Sequence, residues 1–396
     1  MTKATRIFSS SSPIRLGIIG GGQLGKMIAQ EAVKMSISVI ILDPTPNCPA
    51  SQVCKEQIIA DFKEENAIKE LSTKSDIITY EIELANSEAL KTLQSSNYPI
   101  HPSPDTLRTI QNKYRQKVFL KKNNIPVVDF KLIKSKSDLF SLLDYYGFPL
   151  MLKASVDSYD GRGNYLIKSE EQISLGFKCF ENREIFVEKF IDFKKEISVM
   201  VARNHDGKIE SFPVVENIHV NNILSKTIAP ADISKITESK AKIIAEKTMN
   251  SLKGSGIFGI EMFVTKNDDV LVNEIAPRPH NSGHYTIESC SISQFEQHIR
   301  AVFNLPLMKP ELLRPAVMIN ILGPENATGT YEVRGIESMF SIPGVKFHLY
   351  GKKTSSPRRK LGHITATGKT IAEANSRAEQ AINSIEIIIN QNKKNI

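Results

Sequence analysis

GIEMFVTKNDDVLVNEIAPRPHNSGHYT, residues Gly259–Thr286, contains two apolar runs separated by a polar turn. This pattern predicts a β-hairpin with a four-residue loop. If the loop closes between Thr265 and Val270, Glu261 lies directly opposite Glu274, and both side chains share one face of the sheet. Two facing carboxylates repel unless a cation joins them, and Mg²⁺ favours carboxylate and phosphate oxygens. We therefore predict a metal site at Glu261 and Glu274; the alternative is two solvated glutamates on an exposed hairpin.

The segment after the hairpin is rich in polar and charged side chains. Pro277 and Pro279 exclude a continuing central strand or helix. The loop displays Arg278, His280 and further polar side chains directly after a predicted metal ligand. A purely structural loop rarely has this composition, so we predict that the loop contributes to a site.

Composition limits the class of protein. The 396 residues are 41% hydrophobic and 24% charged, as in a soluble globular protein of two or three domains. The net charge of +8 is spread along the chain without a long basic block, which disfavours nucleic-acid binding and is equally explained by anionic small substrates. No apolar run approaches the roughly 18 residues of a membrane span. The four cysteines include no C-x-x-C pair, as expected of free thiols in the cytoplasm.

The N-terminal third predicts a parallel α/β domain. Residues 1–13 are expected to form a disordered tail, with a transit peptide as the alternative. Gly20, Gly22 and Gly25 fit G-x-G-x-x-G after a short apolar strand, and Asp43 ends the next strand. This is a dinucleotide fingerprint, although such a loop can also hold a phosphate of another ligand.

Acidic and basic residues at strand ends supply further candidates. Glu81 and Glu83 end a predicted strand, the usual ligand position in a parallel sheet, although solvated loop acids remain the alternative. Lys153 ends another strand and precedes a glycine-containing loop, Ser158–Asn164. Backbone N–H groups of such a loop can contact phosphate oxygens while the lysine acts as a point charge. An ordinary hairpin loop is the alternative. A closing helix is predicted over 371–390.

These motifs together resemble the ATP-grasp superfamily over residues 105–305. Additional motifs narrow the resemblance to the N5-carboxyaminoimidazole ribonucleotide synthetase family and extend it over nearly the whole chain from Ile14. The motifs are Gly-Gly-Gly-Gln-Leu-Gly (20–25), Thr-Tyr-Glu-Ile-Glu (79–83), Tyr-Asp-Gly-Arg-Gly (159–163), Val-Glu-Lys-Phe-Ile (187–191), Asn273-Glu274 and Asn-Ser-Gly-His (281–284).

The resemblance implies a mixed α/β and α+β fold in three parts. A Rossmann-like parallel-sheet domain would cover 14–105, an ATP-grasp domain 106–305, and a small β-rich C-terminal domain 306–396. It implies a homodimer that uses ATP, Mg²⁺ and bicarbonate to carboxylate the exocyclic amine of 5-aminoimidazole ribonucleotide (AIR) through carboxyphosphate.

The resemblance also implies residue roles. Arg278, His280 and Lys360 would be catalytic, Glu261 and Glu274 would bind the metal, and AIR would contact Glu81, Tyr159, Asp160 and Arg162. The residues implied for ATP are Lys113, Lys153, Ser158, Tyr159, Asp160, Gly161, Arg162, Gly163, Asn164, Glu188, Lys189, Phe190, Ile191, Glu196, His219, Asn273 and Glu274.

Three positions depart from the family pattern without removing a metal ligand. Ser158 stands where many members have glycine. Lys113 stands where some have arginine, which keeps the charge but loses the bidentate fork. Arg358 replaces the glycine of a Pro-Gly-Arg-Lys motif.

Other functions fit parts of the sequence. A formate-dependent glycinamide ribonucleotide formyltransferase shares Pro-Arg-Pro-His (277–280) but typically continues differently and lacks the Tyr-Asp-Gly-Arg loop. A nicotinamide-dependent reductase built on the glycine motif leaves the glutamate pair without a role. An ATP-binding regulatory module without turnover is the third alternative.

Overall fold

The computed structural model describes residues 13–156 and 163–390. Most of the predicted N-terminal tail and residues 158–162 of the predicted phosphate loop lie outside these ranges. Within the described ranges, no helix combines the length and the apolar character needed to cross a membrane.

The N-terminal part is built on a parallel sheet with the order β3-β2-β1-β4. Leu16 and Ile18 pack on one face of this sheet, and Ile19 and Ile78 pack on the other. A parallel sheet buried on both faces is expected from its near-continuous apolar strands. The elements are β1 (Arg15–Ile19), α1 (Gln23–Lys34), β2 (Ser38–Leu42), β3 (Glu56–Ile58), α2 (Glu65–Lys74), β4 (Ile77–Tyr80) and α3 (Ser87–Ser95). The predicted Rossmann-like sheet is confirmed.

An antiparallel sheet with the order β5-β8-β6-β7 follows. Its elements are α4 (Pro104–Gln111), α5 (Lys113–Lys122), β5 (Phe130–Ile133), α6 (Lys136–Tyr146), β6 (Leu150–Ala154), β7 (Asn164–Ile167), α7 (Ile173–Cys179) and β8 (Ile185–Lys189). The Asn112 side chain accepts a hydrogen bond from the Arg115 N–H and so caps the start of α5. That cap makes Lys113 the first residue of a helix.

The largest sheet runs β14-β13-β9-β11-β12-β15-β18-β17, with β10 beside β9. Its strands come from both the central and the C-terminal parts, because Ala229 of β12 pairs with Ala316 of β15. The elements are β9 (Phe193–Arg203), β10 (Ile209–Ser211), β11 (Val215–Val220), β12 (Ile223–Ala229), α8 (Lys235–Leu252), β13 (Gly256–Thr265), β14 (Val270–Ala276), α9 (Thr286–Ser289), α10 (Gln294–Val302), β15 (Ala316–Leu322), β16 (Thr330–Arg334), α11 (Ile336–Phe340), β17 (Val345–Leu349), β18 (Lys360–Thr367), α12 (Ile371–Asn383) and β19 (Glu386–Asn390). The small β-rich C-terminal part is thus joined to the central part through one continuous sheet.

The end of the described chain differs from the sequence prediction. The predicted helix over 371–390 is wrong in its second half, because α12 ends at Asn383 and β19 pairs with β16. The isoleucines Ile387, Ile388 and Ile389 in β19 are β-branched, and such residues favour a strand.

Candidate active site

The hairpin of β13 and β14 brings the two predicted metal ligands together. The strands leave the four predicted residues 266–269 between them, but the pair next to the turn is Val264 with Val270 and not Thr265 with Val270, a register shift of one residue. A bulge at Asn273 compensates for that shift, and Glu261 pairs directly with Glu274. A β-bulge changes the direction of the side chains around it. The predicted pairing of Glu261 with Glu274 and the four-residue loop are therefore confirmed, whereas the predicted closing pair of Thr265 with Val270 is wrong.

The two facing glutamates differ in their ionisation. Burial raises the pKa of Glu261 to about 7, and the charge of Glu274 adds to the increase. Burial would also raise the pKa of Glu274, but the cations around it together outweigh burial and lower it. Lys113, whose Nζ lies 2.9 Å from Glu274 Oε2, contributes most, and Lys153 and Arg278 add to the effect. A carboxylate must be ionised to bind a metal. The pair therefore fits a divalent cation. Glu274 is ionised already, and a cation would offset the free-energy cost of ionising Glu261.

Lys113 and Lys153 approach the hairpin from two other elements. Lys113 begins α5 and contacts Glu274. Lys153 lies in β6, where its Nζ is 2.6 Å from Glu188 Oε2 and 3.4 Å from Asn273 Oδ1. Ammonium groups in such positions can bind phosphate oxygens as point charges. The structure thus brings together both predicted lysines and Asn273.

The carboxylate of Glu188 is paired with two lysines and is therefore not available to contact an adenine base. This carboxylate is buried between Lys117 and Lys153. The residues that follow, from Lys189 to Ile191, keep exposed surface along the cleft. A ligand in the cleft would therefore meet this segment through its backbone and through the later side chains.

Glu196 and His219 form a pair on neighbouring strands of the large sheet. His219 Nδ1 contacts Glu196 Oε2. Burial lowers the pKa of His219, but the carboxylates of Glu196 and Glu261 together more than compensate, so the pKa rises overall. The two predicted residues are therefore coupled rather than independent.

Arg278 is fixed by acids from the carboxyl end of β4. Its Nη2 lies 2.9 Å from Glu83 Oε1. Burial disfavours the guanidinium charge, but Glu83 and then Glu81 raise the pKa of Arg278 above its usual range. Glu81 accepts a hydrogen bond of 2.6 Å from the Gly22 N–H, and burial raises the pKa of Glu81 to about 7. Arg278 is therefore a positively charged side chain that lines the cleft and is held in place by Glu83.

Buried hydrogen bonds determine which nitrogen of His280 carries the proton. The Ser282 amide donates to His280 Nδ1 at 3.3 Å, and the Ser282 hydroxyl lies 2.9 Å from the same nitrogen. Ser282 Oγ accepts from the Ser198 hydroxyl, which in turn accepts from the Asn217 side-chain amide. Because Nδ1 accepts, the proton of the neutral ring lies on Nε2. Nε2 is 3.7 Å from Glu261 Oε1, so His280 directs an N–H donor towards the metal pair.

The glycine-rich loop binds carboxylates of the chain itself. The Gly21 N–H donates to Asp43 Oδ2 at 2.8 Å, and the Gly22 N–H is engaged by Glu81. The dinucleotide interpretation assigns Asp43 to a ribose hydroxyl, whereas Asp43 is buried against the loop. This geometry gives no support to the nicotinamide alternative.

A basic segment of the C-terminal part lines the same cleft. It consists of Lys352, Lys353, Arg358, Arg359 and Lys360. Arg358 has a φ of +58°, a conformation in which glycine is favoured, and the family resemblance places glycine there. Of these residues, only Lys360 was predicted to have a role, although the clustering of lysine and arginine after residue 351 is visible in the sequence.

The cleft has a volume of about 2050 Å³. The predicted site residues that line it are Glu81, Lys113, Lys153, Asn164, Glu188, Lys189, Phe190, Ile191, Glu196, His219, Glu261, Asn273, Glu274, Arg278, His280 and Lys360. Gly163 is buried, and its carbonyl oxygen accepts from the Ala154 N–H at 2.9 Å. The predicted residues Ser158, Tyr159, Asp160, Gly161 and Arg162 lie outside the described residues.

Sequence reasoning missed the roles of Glu83 and Lys117. Glu83 was recognised only as a strand-end acid, and its partner Arg278 is distant in sequence. Lys117 lies four residues after Lys113, a spacing that puts both on one face of a helix. That spacing was the available signal for Lys117.

A second cluster, Glu288, His348 and His363, lies apart from the cleft. Ligand atoms of these residues lie within 4.8 Å of one another. The two imidazole rings, however, are stacked, with centroids 4.4 Å apart and planes at 8°. Since nitrogen lone pairs lie in the ring plane, parallel rings cannot both direct them at one ion. We therefore assign this cluster to packing.

Three consecutive segments of the chain match families of known proteins. Residues 14–111 match the ribonucleotide synthetase preATP-grasp domain, residues 118–295 the ATP-grasp domain, and residues 316–377 the phosphoribosylaminoimidazole carboxylase C-terminal domain. These matches follow the three parts in order.

Individual relatives share much of the sequence. The phosphoribosylaminoimidazole carboxylase of Candida glabrata is 42% identical over 375 residues; the match covers 92% of this chain but only 65% of that relative's length. The N5-carboxyaminoimidazole ribonucleotide synthase of Staphylococcus aureus is 41% identical over 352 residues, which cover 88% of this chain and 91% of the relative.

A solved structure supports the same assignment. The N5-carboxyaminoimidazole synthase of Aspergillus clavatus, in complex with ADP and 5-aminoimidazole ribonucleotide, superposes with a TM-score of 0.86 at 35% identity, covering 93% of this chain and 98% of that one. With the facing glutamates, the lysines and the held arginine in one cleft, these likenesses show that the chain belongs to the N5-carboxyaminoimidazole ribonucleotide synthase family of ATP-grasp enzymes.

Proposed function

We propose that this protein carboxylates the exocyclic amine of AIR, with ATP and bicarbonate as co-substrates, in purine biosynthesis. ATP transfers its γ-phosphoryl group to bicarbonate, giving carboxyphosphate and ADP. Carboxyphosphate breaks down to CO₂ and phosphate, and the amine attacks CO₂ and loses a proton to give N5-carboxyaminoimidazole ribonucleotide. The observation that carries the proposal is the facing pair Glu261 and Glu274 in the cleft that also contains Arg278 and His280.

Glu261 and Glu274 are proposed to hold Mg²⁺, because their ionisation suits a divalent cation. A Mg²⁺ ion bound there would neutralise the phosphate charge, because phosphoryl transfer depends on electrostatic stabilisation more than on covalent catalysis. Lys113 and Lys153 add positive charge from two sides and keep the phosphate chain aligned. Asn273, at the bulge between them, offers an uncharged polar contact.

The predicted loop, Ser158–Asn164, is proposed to cover the phosphates. Lys189, Phe190 and Ile191 provide exposed surface for the adenine base. Glu196, which is paired with His219, accepts hydrogen bonds from the ribose hydroxyl groups. These assignments follow the family resemblance and the side-chain positions along the cleft.

Arg278 and His280 are proposed to bind bicarbonate and carboxyphosphate. Arg278 is held by Glu83, and the His280 ring is held with its Nε2–H towards Glu261. Donors fixed before the reaction stabilise developing negative charge without reorganisation. Lys360 contributes a further cation from the C-terminal part of the cleft.

AIR is proposed to bind between Glu81 and the basic segment 352–360. Its phosphate is an anion, and that segment supplies cations on the same cleft as Glu81. Tyr159, Asp160 and Arg162 are proposed as further AIR contacts from the family resemblance.

Product formation with defined substrates tests the proposed function. ADP release is measured with AIR and bicarbonate, and in parallel with glycinamide ribonucleotide and formate. The proposal predicts release only in the first mixture, dependent on both substrates and on Mg²⁺. Release only in the second mixture would identify a formyltransferase, and release in neither would support a module without turnover.

Assembly and location are proposals from the same resemblance. We propose a homodimer in the cytoplasm. Light scattering of the purified protein at the mass of one chain would contradict the dimer.

A further inference from the structure

Lys117 lies one helical turn after Lys113 on α5, beneath the cleft. Its side chain is 3% exposed, and its Nζ is 2.9 Å from Glu188 Oε1. The same Nζ donates to the Val272 carbonyl oxygen at 3.3 Å. The other oxygen of Glu188, Oε2, lies 2.6 Å from Lys153 Nζ. Glu188 is therefore a buried carboxylate with an ammonium group beside each of its oxygens.

The three side chains carry unequal numbers of positive and negative charges. Burial would raise the pKa of Glu188, but the two ammonium groups lower it to about 2, so the carboxylate is ionised at neutral pH. Burial lowers the pKa of Lys117, an effect that the Glu188 carboxylate opposes. Two cations and one anion leave one net positive charge. Without Lys117, Glu188 alone would neutralise Lys153.

Lys153 is the member of this group that can meet a ligand. It lines the cleft and reaches Asn273, beside the facing glutamates. Lys117 is enclosed by Glu188 and Val272, so a phosphate cannot contact it directly. Charges at these distances in a partly dry interior interact much more strongly than in water.

We propose that Lys117 is a positioning residue for the nucleotide phosphates, which holds Glu188 so that Lys153 keeps its positive charge for the phosphate chain. This inference rests on the proposed function, because it requires the cleft to bind ATP. Lys117 acts through charge and not through shape. It should therefore matter for ligands that carry phosphate and not for adenosine.

Calorimetric titration of the full-length protein with ADP and with adenosine tests the inference. Lys117→Met should weaken ADP binding by about tenfold, the scale of one charged contact, and leave adenosine binding within about twofold. The double variant Lys117→Met with Glu188→Gln restores one net positive charge and should recover most of the ADP affinity. Lys121→Met, on the same helix but with a 64% exposed side chain, is the matched control and should bind ADP normally.

Equal weakening of ADP and adenosine by Lys117→Met would overturn the inference, because it would show a structural role only. Unchanged ADP binding would overturn it as well. Lys117→Gln keeps a donor for Val272 and provides a second variant if the methionine variant does not fold; it should show the same selective loss of ADP affinity. A wild-type protein that binds neither ligand would refute the proposed function itself, whereas selective effects among the variants concern Lys117 alone.

Discussion

Replacement of Glu261 by glutamine should stabilise the metal-free protein and abolish turnover. The pKa of Glu261 rises from 4.5 to about 7 on folding, and each pKa unit corresponds to about 1.4 kcal/mol. The native state therefore carries a penalty of at most about 3.5 kcal/mol when this group is ionised. Because the folded chain keeps the proton to higher pH, the penalty is absent below about pH 4.5 and is complete above about pH 7. Glutamine keeps the shape and removes the charge.

The free energy of unfolding, measured by urea denaturation in EDTA at pH 5 and pH 8, checks this prediction. Glu261→Gln should gain about 1–3 kcal/mol over wild type at pH 8 and much less at pH 5. Glu274→Gln is the matched variant. This substitution removes the carboxylate that pairs with Lys113. Because the Glu274 side chain is 41% exposed, the free energy of unfolding should fall by only about 1 kcal/mol. A Glu261→Gln protein that is less stable than wild type at pH 8, or active, would refute the reasoning.

Further predictions concern the anion side of the cleft and the basic segment. Arg278→Ala should remove bicarbonate-dependent ATP cleavage while ADP affinity stays within about twofold; retained cleavage would contradict its role. Ser282→Ala removes the hydroxyl beside His280 Nδ1 but keeps the amide that donates to it, so nitrogen NMR should still show the proton of the neutral ring on Nε2; a ring protonated on Nδ1 would contradict the hydrogen-bond assignment. Arg358→Gly should keep turnover, because Arg358 is paired with Glu325 and the other cations of the segment remain. It should shift stability by less than about 1 kcal/mol, because relief of the positive φ offsets the loss of this exposed ion pair; a large loss in urea denaturation would show that Arg358 has another role.

The hairpin shows how far periodicity can predict structure. Alternating apolar residues and the polar turn were enough to predict that Glu261 faces Glu274. The agreement depends on two departures from the prediction that cancel, since the register next to the turn is shifted by one residue and Asn273 forms a bulge. A bulge does not alter the apolar pattern enough to be recognised from one sequence.

The candidate site was predictable where function depends on position at a strand end or in a motif. Lys153, Glu81 and the loop with Arg278 belong to this group. Contacts between distant segments were not predictable, because they depend on tertiary packing: Arg278 with Glu83 and Lys117 with Glu188 are examples.

The C-terminal part illustrates the same limit. Its main strands were predicted, but their pairing with the central sheet through β12 and β15 was not. The helix that was predicted to reach residue 390 ends earlier, because pairing with β16 favours a strand for the final isoleucines.

Anomalous diffraction from crystals grown with Mn²⁺ and a non-hydrolysable ATP analogue tests the central claim most directly. We expect one strong peak within about 2.2 Å of a carboxylate oxygen of Glu261 and of Glu274, next to the phosphate chain. A metal peak in the cleft that neither glutamate contacts, or a phosphate chain far from Lys113 and Lys153, would contradict the account.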